Sequence, residues 1–144
     1  MSVSPSATLV VDSSVALKWF KPDAEAFVPE ALDLLAAHRS EAVVLAAPVN
    51  LRLEVLNALW SHRLDTPQLR EVVAALEGFG LAWFEADVTL LDSAAEISVA
   101  HSLTIYDALF AALALRLDAE LVTADRTLAA CRACRTRFLG EGMR

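Results

Sequence analysis

The sequence predicts an α/β domain, a three-layer sandwich with a parallel sheet of four to five strands flanked by helices. Three observations carry that expectation. Short runs of uniformly apolar residues alternate with longer segments of helical period, the pattern of a parallel sheet covered on both faces. The composition is 56% apolar and 22% charged with only 4 Gly and 5 Pro, which gives ample surface for a core and little punctuation for a loop-rich chain. The length of 144 residues suits one domain, residues 1–144, with its core over about 8–138.

The elements follow in order. The run TLVVD over 8–12 is a first strand, and SSVALKWF continues at helical period until Pro22, because the residue before a proline disfavours helix. Residues 23–39 read as an amphipathic helix with Pro29 in its first turn, and 42–48 (AVVLAAP) as a second buried strand. Two helices, 51–63 and 68–79, are separated by the turn DTP. In the first of them we place the apolar face on Leu53, Leu56, Leu59 or Trp60, and Leu64. LAWFE forms a third strand, 88–101 and 104–117 two more helices, and AELVTAD a fourth strand. RTLAACRA reads as a short helix and RTRFLG as a fifth, edge strand.

Several function classes fall away. Mean hydropathy is +0.47, yet the longest apolar run, YDALFAALALRLDAELV, is interrupted by Asp107, Arg116, Asp118 and Glu120, so no membrane span is expected. The N-terminal stretch lacks the basic and apolar regions of a signal peptide, which points to a cytoplasmic protein. Cys131 and Cys134 form a lone C-R-A-C without the further ligands of a zinc site and outside a thioredoxin-like context, so a structural role is preferred. Net charge is −7, the opposite of a nucleic-acid binder's basic footprint. Any nucleic-acid chemistry here needs cations between protein and phosphate. The exception is local: Arg126, Arg132, Arg135 and Arg137 crowd the C-terminal fifth, as a solvated surface or as a contact to phosphates or to an acidic partner segment.

Four carboxylates stand out. Asp12 closes the first strand; it either caps the next helix or, if Ser13 or Ser14 does so, is free for other work. Asp125 follows the fourth strand with the same ambiguity. Glu54 lies on a polar-to-small helical stripe with Asn50, Asn57, Ala58 and Ser61, either exposed or in a crowded site. Asp107 shares its stripe with Phe110, Ala111 and Ala114 in a helix apolar nearly all round, where a carboxylate is costly unless it is paired, bound to a cation or favoured by the helix dipole. Ligands to an open parallel sheet bind beyond the carboxyl ends of its strands. Acids gathered there cannot all stay ionised without cations, and oxygen donors lacking His or Cys select Mg²⁺ or Mn²⁺. Such a cluster suits phosphodiester hydrolysis.

Four segments, VVDSSVALKWF, LEVLNALW, LTIYDALFAALA and LVTADRTL, together resemble the PIN domain family, and within it the VapC-type ribonuclease toxins. No one motif is specific; the four in this order and spacing are. The resemblance implies that Asp12, Glu54, Asp107 and Asp125 form a catalytic, metal-holding quartet, with Asp12 and Asp107 the chief Mg²⁺ (or Mn²⁺) ligands. It implies that Ser13 and Thr123 support them and that Asn57 orients a carboxylate by hydrogen bonding. It further implies endonucleolytic cleavage of single-stranded RNA, often tRNA or rRNA, a homodimer, and a cognate VapB-like antitoxin whose C-terminal tail crosses the active-site groove. The chain is then the toxin of a type II toxin–antitoxin pair. The alternative is a non-catalytic PIN-like module that docks a partner helix or RNA, for example through Trp19, Phe20 and Phe27. A receiver domain and a haloacid-type phosphatase lack their required lysine and D-x-D signals.

Overall fold

A computed structural model of the chain describes residues 6–20 and 26–141. Five strands, β1 (Ala7–Val11), β2 (Val43–Pro48), β3 (Ala82–Phe84), β4 (Glu120–Thr123) and β5 (Thr136–Phe138), form one wholly parallel sheet in the order β3-β2-β1-β4-β5. Seven helices connect them among the described residues: α1 (Ser13–Leu17), α2 (Val28–Arg39), α3 (Asn50–Ser61), α4 (Thr66–Gly78), α5 (Val88–His101), α6 (Ile105–Arg116) and α7 (Arg126–Ala129). The predicted class and element order are those observed.

The strand order reverses between β1 and β4. The chain runs from β1 outward through β2 and β3, returns through α5 and α6, and continues from β4 to β5 on the other side. β1 and β4 are hydrogen-bonded neighbours, Val10 opposite Leu121 and Val11 opposite Val122. Their carboxyl ends, and the residues just after them, therefore meet at the switch point where open parallel sheets bind ligands. Central strands of such a sheet are covered on both faces and read as apolar runs: Val10, Val11, Leu45, Ala46, Ala47, Leu121 and Val122 are all fully buried.

Helix α6 is the deepest helix. Residues Ala108 to Ala114 are buried without a break, and the helix packs on β1, β2 and β4 as well as on α5. Alanine on most of its faces allows this close approach, and Phe110, wholly buried, is the largest side chain in the core. No single helix of the described residues is long and apolar enough to cross a membrane; α5 and α6 together would have the length but are bent by 115°. His38 ties three elements together. Its Nδ1 accepts from the Leu45 N–H at 3.0 Å, which leaves the proton on Nε2 to donate to the Phe79 carbonyl at 3.0 Å.

Three expectations need correction. The helix expected over RTLAACRA stops at Ala129, so the Cys pair lies in the α7–β5 loop, and both thiols are free. The buried face of α3 is Leu51, Val55 and Leu59, whereas Leu53 and Trp60 are 68% and 66% exposed. With apolar residues on two overlapping stripes, periodicity alone does not choose between them, and the choice falls to the neighbours of α3, chiefly α1 and α4 and also β2. The helix after β1 ends at Leu17, followed by a turn over 18–20, and α2 starts at Val28; the expected helical start at 23–25 and the break at Pro22 lie outside the described residues. Trp19, Phe20 and Phe27, considered as docking residues, pack internally. Trp19 and Phe20 sit against Phe79, Phe27 lies edge-on to Phe138, and the Trp19 indole donates to the Ala31 carbonyl at 2.9 Å.

Because α6 is held against three strands by its interior face, Phe110→Ala should cost about 3–5 kcal/mol. Chemical denaturation would show this as a lower midpoint; an unchanged midpoint would mean that α6 is not anchored through this ring.

Candidate active site

Asp12 leaves β1 at the switch point with 4% of its surface exposed. It is itself the N-cap of α1: Oδ1 accepts from the Val15 N–H at 3.3 Å and from the Ser14 hydroxyl at 2.6 Å, while Oδ2 accepts from the Thr123 hydroxyl at 2.6 Å. Of the two readings left open for this acid, the cap is the one observed. Ser14 has a different task that the sequence did not reveal. Its Oγ donates to Asp12 and accepts from the Ala124 N–H at 2.9 Å, so one hydroxyl couples the ends of β1 and β4. Its signal was a second serine two residues after the acid, which sequence alone cannot distinguish from a redundant cap. Thr123, buried at the end of β4, donates to Asp12 and accepts from the Asp125 N–H at 3.0 Å. The β1–β4 pairing thus becomes a hydrogen-bonded bracket around one carboxylate.

Glu54 is half-buried on α3. Its Oε1 accepts from the Ser13 hydroxyl at 3.2 Å, and its Oε2 is buried with no partner. Asp107 is half-buried in the first turn of α6, whose N-cap Thr104 accepts the Asp107 N–H at 3.1 Å. Asp125 is exposed and caps α7, its Oδ1 accepting from Thr127 and Leu128 at 2.8 and 3.2 Å. Asn57 is exposed and, among the described residues, bonds none of the four carboxylates; it lines a cleft beside Glu54 and Asp107 instead.

The electrostatics bind these acids into a chain. Burial raises the Asp12 carboxyl to about 6, against the three hydrogen bonds that favour its ionised form, and the Asp107 charge raises it further. Burial likewise raises Glu54 to about 7, with the Ser13 hydrogen bond opposing and the charges of Asp107 and Asp12 adding to the rise. Asp107 is raised by its burial and then by Asp125, with Thr104 opposing. Neighbouring members thus repel one another from Asp12 and Glu54 through Asp107 to Asp125. Among the described residues no Lys or Arg forms an ion pair with any of them. Nor do any three of the acids lie close enough, as placed, to form a ready-made ion cage. Asp12, Glu54 and Asp107 approach one another, and Asp125 stands at the rim, occupied by its cap.

The donor set fits a hard divalent cation. It is made of carboxylate oxygens, one of them buried and unpartnered, whose mutual repulsion a cation would relieve. The basic cluster is mostly occupied elsewhere. Arg126 lies over the Phe138 ring at 4.3 Å, Arg135 pairs with Asp118, and Arg137 pairs with Glu120. The cysteines line a separate depression next to Arg132 and Arg135, and burial together with the neighbouring Cys131 pushes the Cys134 thiol up to about 11, which keeps it an inert thiol.

A parallel sheet in the order 3-2-1-4-5 with carboxylates at its switch point defines a class of acidic-site α/β proteins. The sequence profile of the PIN domain family matches residues 9–133, and the chain belongs to that family. Solved structures agree in fold. VapC20 of Mycobacterium tuberculosis, a sarcin–ricin-loop-cleaving toxin, is 18% identical with a TM-score of 0.70 over 86% of this chain and 95% of that one. VapBC2 of Rickettsia felis, solved on promoter DNA, is 13% identical with a TM-score of 0.68 over 91% and 98%. A toxin–antitoxin complex from Klebsiella pneumoniae is 16% identical with a TM-score of 0.65 over 90% and 95%. No curated protein sequence matches the chain.

Linkage gives a test of the crowding. A carboxyl whose folded pKa is raised favours the fold while protonated, a contribution present below the unfolded value near pH 4 and lost as pH rises through the folded value. For Asp12 and Glu54 that window runs from about pH 4 to about pH 7. For buried Asp12 alone the loss is on the order of 2–3 kcal/mol. Chelator-treated protein should therefore melt at lower temperature at pH 8 than at pH 5, and Glu54→Gln should narrow that gap. A gap of the same size in Glu54→Gln would refute the idea that Glu54 is destabilised in the fold.

Proposed function

We propose that this protein is a metal-dependent endoribonuclease, the toxin of a type II toxin–antitoxin pair, which hydrolyses phosphodiester bonds in single-stranded RNA. The observation that carries this reading is the set of crowded carboxylates at the switch point, which among the described residues have no Lys or Arg ion pair, together with the buried, unpartnered Glu54 Oε2. A structural role would have given them arginine partners; an unpaired buried oxygen is instead what a cation site needs. Family membership agrees with it, as do the toxins among the neighbouring folds.

In this mechanism Asp12, Glu54 and Asp107 would hold Mg²⁺ or Mn²⁺, with Asp125 supporting them. The bound cation supplies Lewis-acid chemistry and lowers the pKa of water. The protein supplies position. Thr123 and Ser14 hold both Asp12 oxygens, so that carboxylate cannot swing away when its charge is neutralised. Ser13 holds Oε1 of Glu54 and leaves Oε2 available. The cation cancels the repulsion that a −7 protein exerts on a phosphate backbone, and RNA binding should accordingly require it.

A cognate VapB-like antitoxin would inhibit the enzyme by laying its C-terminal tail across this acidic groove, and the enzyme would work in the cytoplasm as a homodimer. Purified protein should cleave single-stranded RNA, of which tRNA and rRNA are the substrates to try first, with Mg²⁺ or Mn²⁺ and not with chelator. Asp12→Asn and Asp107→Asn should each lower the rate at least ~100-fold, a loss of ~2.7 kcal/mol of transition-state stabilisation. Both ions should raise the melting temperature of the wild type at pH 8 and leave the two variants almost unmoved. Cleavage at the wild-type rate by either variant would remove these residues from the site.

A further inference from the structure

Next to the acids lies a cleft of about 510 Å³ lined by Asn50, Leu53, Glu54, Asn57, Thr104, Tyr106 and Asp107. Its size is that of a small-molecule site, ~300–1,000 Å³. One wall is a single stripe of α3, on which residues 50, 53, 54 and 57 follow one another at helical spacing; the other is the first turn of α6 with its cap. Two of the lining residues are themselves members of the acidic chain, so whatever enters the cleft lies beside the reacting phosphodiester.

We propose that this cleft binds an unstacked nucleobase of the RNA substrate, flanking the scissile phosphate, with Tyr106 as its stacking platform and Asn50 and Asn57 reading its edge. The proposal rests on the ribonuclease reading and adds the origin of its sequence preference. Four observations favour a base over other occupants. Tyr106 is 62% exposed and Leu53 68%, so an aromatic face and an apolar side chain bound the cleft without being used by the core. Asn50 Oδ1 is buried without a hydrogen-bond partner, an acceptor that calls for a donor such as a ring or exocyclic N–H. Asn57 adds a second amide, able to donate and accept in one plane as a base edge requires. Finally, the lining holds no Lys or Arg, and Arg52 is directed to the Trp83 ring at 4.7 Å and to Glu77. With Glu54 and Asp107 in its wall the cleft disfavours phosphate and carboxylate groups, so of a nucleotide it is the uncharged base that it can take, and the exposed ring and the two amides favour that base over a cationic side chain. Base stacking on an aromatic side chain is tolerant of sequence, so discrimination falls to the two amides.

Tyr106 is the one tyrosine in the sequence, which makes it a clean probe. Protein labelled with 3-fluorotyrosine should give one ¹⁹F resonance, and titration with short single-stranded RNA oligonucleotides in Mg²⁺ should shift it, with a smaller shift for oligonucleotides abasic at one position. In parallel, cleavage of a randomised RNA library should show a base preference at one position beside the cut. Asn57→Ala and Asn50→Ala should flatten that preference. Tyr106→Ala should raise KM roughly tenfold with little change in kcat, and Tyr106→Phe should restore it. An unmoved resonance together with unchanged preference and KM in the variants would overturn the proposal. So would a resonance that responds to an antitoxin polypeptide and not to RNA. If the wild type cleaves no RNA while base-containing oligonucleotides shift Tyr106 and abasic ones do not, the ribonuclease reading fails and the base site stands.

Discussion

The constraint on which the rest of this structure depends is the burial of Asp12 between two parallel strands. A carboxylate at 4% exposure is tolerated only if its oxygens are satisfied, and here three donors satisfy them: a helix N–H, Ser14 and Thr123. Those donors come from both sides of the switch point. The acid therefore acts as a keystone: the register of β1 against β4 brings Thr123 beneath it, and the Ser14–Ala124 bond locks the two strand ends together. The same geometry orients α1, whose first turn Asp12 caps, and so sets Ser13 against Glu54. One side chain thus connects topology to the placement of the second acid.

Much of this was legible in the sequence because the relevant signals are local. β1 and β4 are apolar runs closely followed by Asp12 and Asp125, α1, α4, α5, α6 and α7 carry a side-chain cap, and α6 announces its depth by having apolar residues on every side of Asp107. What was not legible depends on packing between elements. On α3, Leu53 and Trp60 are as apolar as Leu51 and Leu59, and only packing against other elements, chiefly α1 and α4, decides which pair is buried. The role of Ser14 is likewise invisible, since it rests on a partner 110 residues away. Asn50 could be placed on the stripe of Glu54, but nothing in the sequence sets Tyr106 beside it; only the cleft between α3 and α6 brings the two together. The expectation that Asn57 bonds a carboxylate followed from the resemblance to the family; in this chain its amide is turned to the cleft.

The acids also show a conflict between stability and chemistry. Every hydrogen bond to Asp12 favours its ionised form, yet burial wins and its proton affinity rises. Glu54 has less support, with one hydrogen bond and an oxygen left bare. A protein selected for stability alone would replace such a set with amides or pair it with arginine, and the chain has 12 basic residues available. Those whose partners are defined near the C-terminus are paired with Asp118 and Glu120 or stacked on Phe138. At the switch point the acids are partly buried and, among the described residues, without an ion pair, so their repulsion is destabilising there.

The overall charge of −7 then has a consistent explanation. A basic surface would bind any polyanion, at any place, with an affinity set by released counterions. On the proposed function, an acidic body with a carboxylate-lined site would attract a phosphate only where a cation intervenes, so the scissile group would be drawn to one point and the flanking chain held by weaker, uncharged contacts. A cleft of amides, an apolar side chain and one aromatic ring is suited to that second task, because stacking and edge recognition operate without charge. On the proposed function, discrimination among RNAs would come from the shape and the donors of α3 and α6 and turnover from the acids, and the two would meet on the same helical stripe, in which Asn50 and Asn57 bracket Glu54.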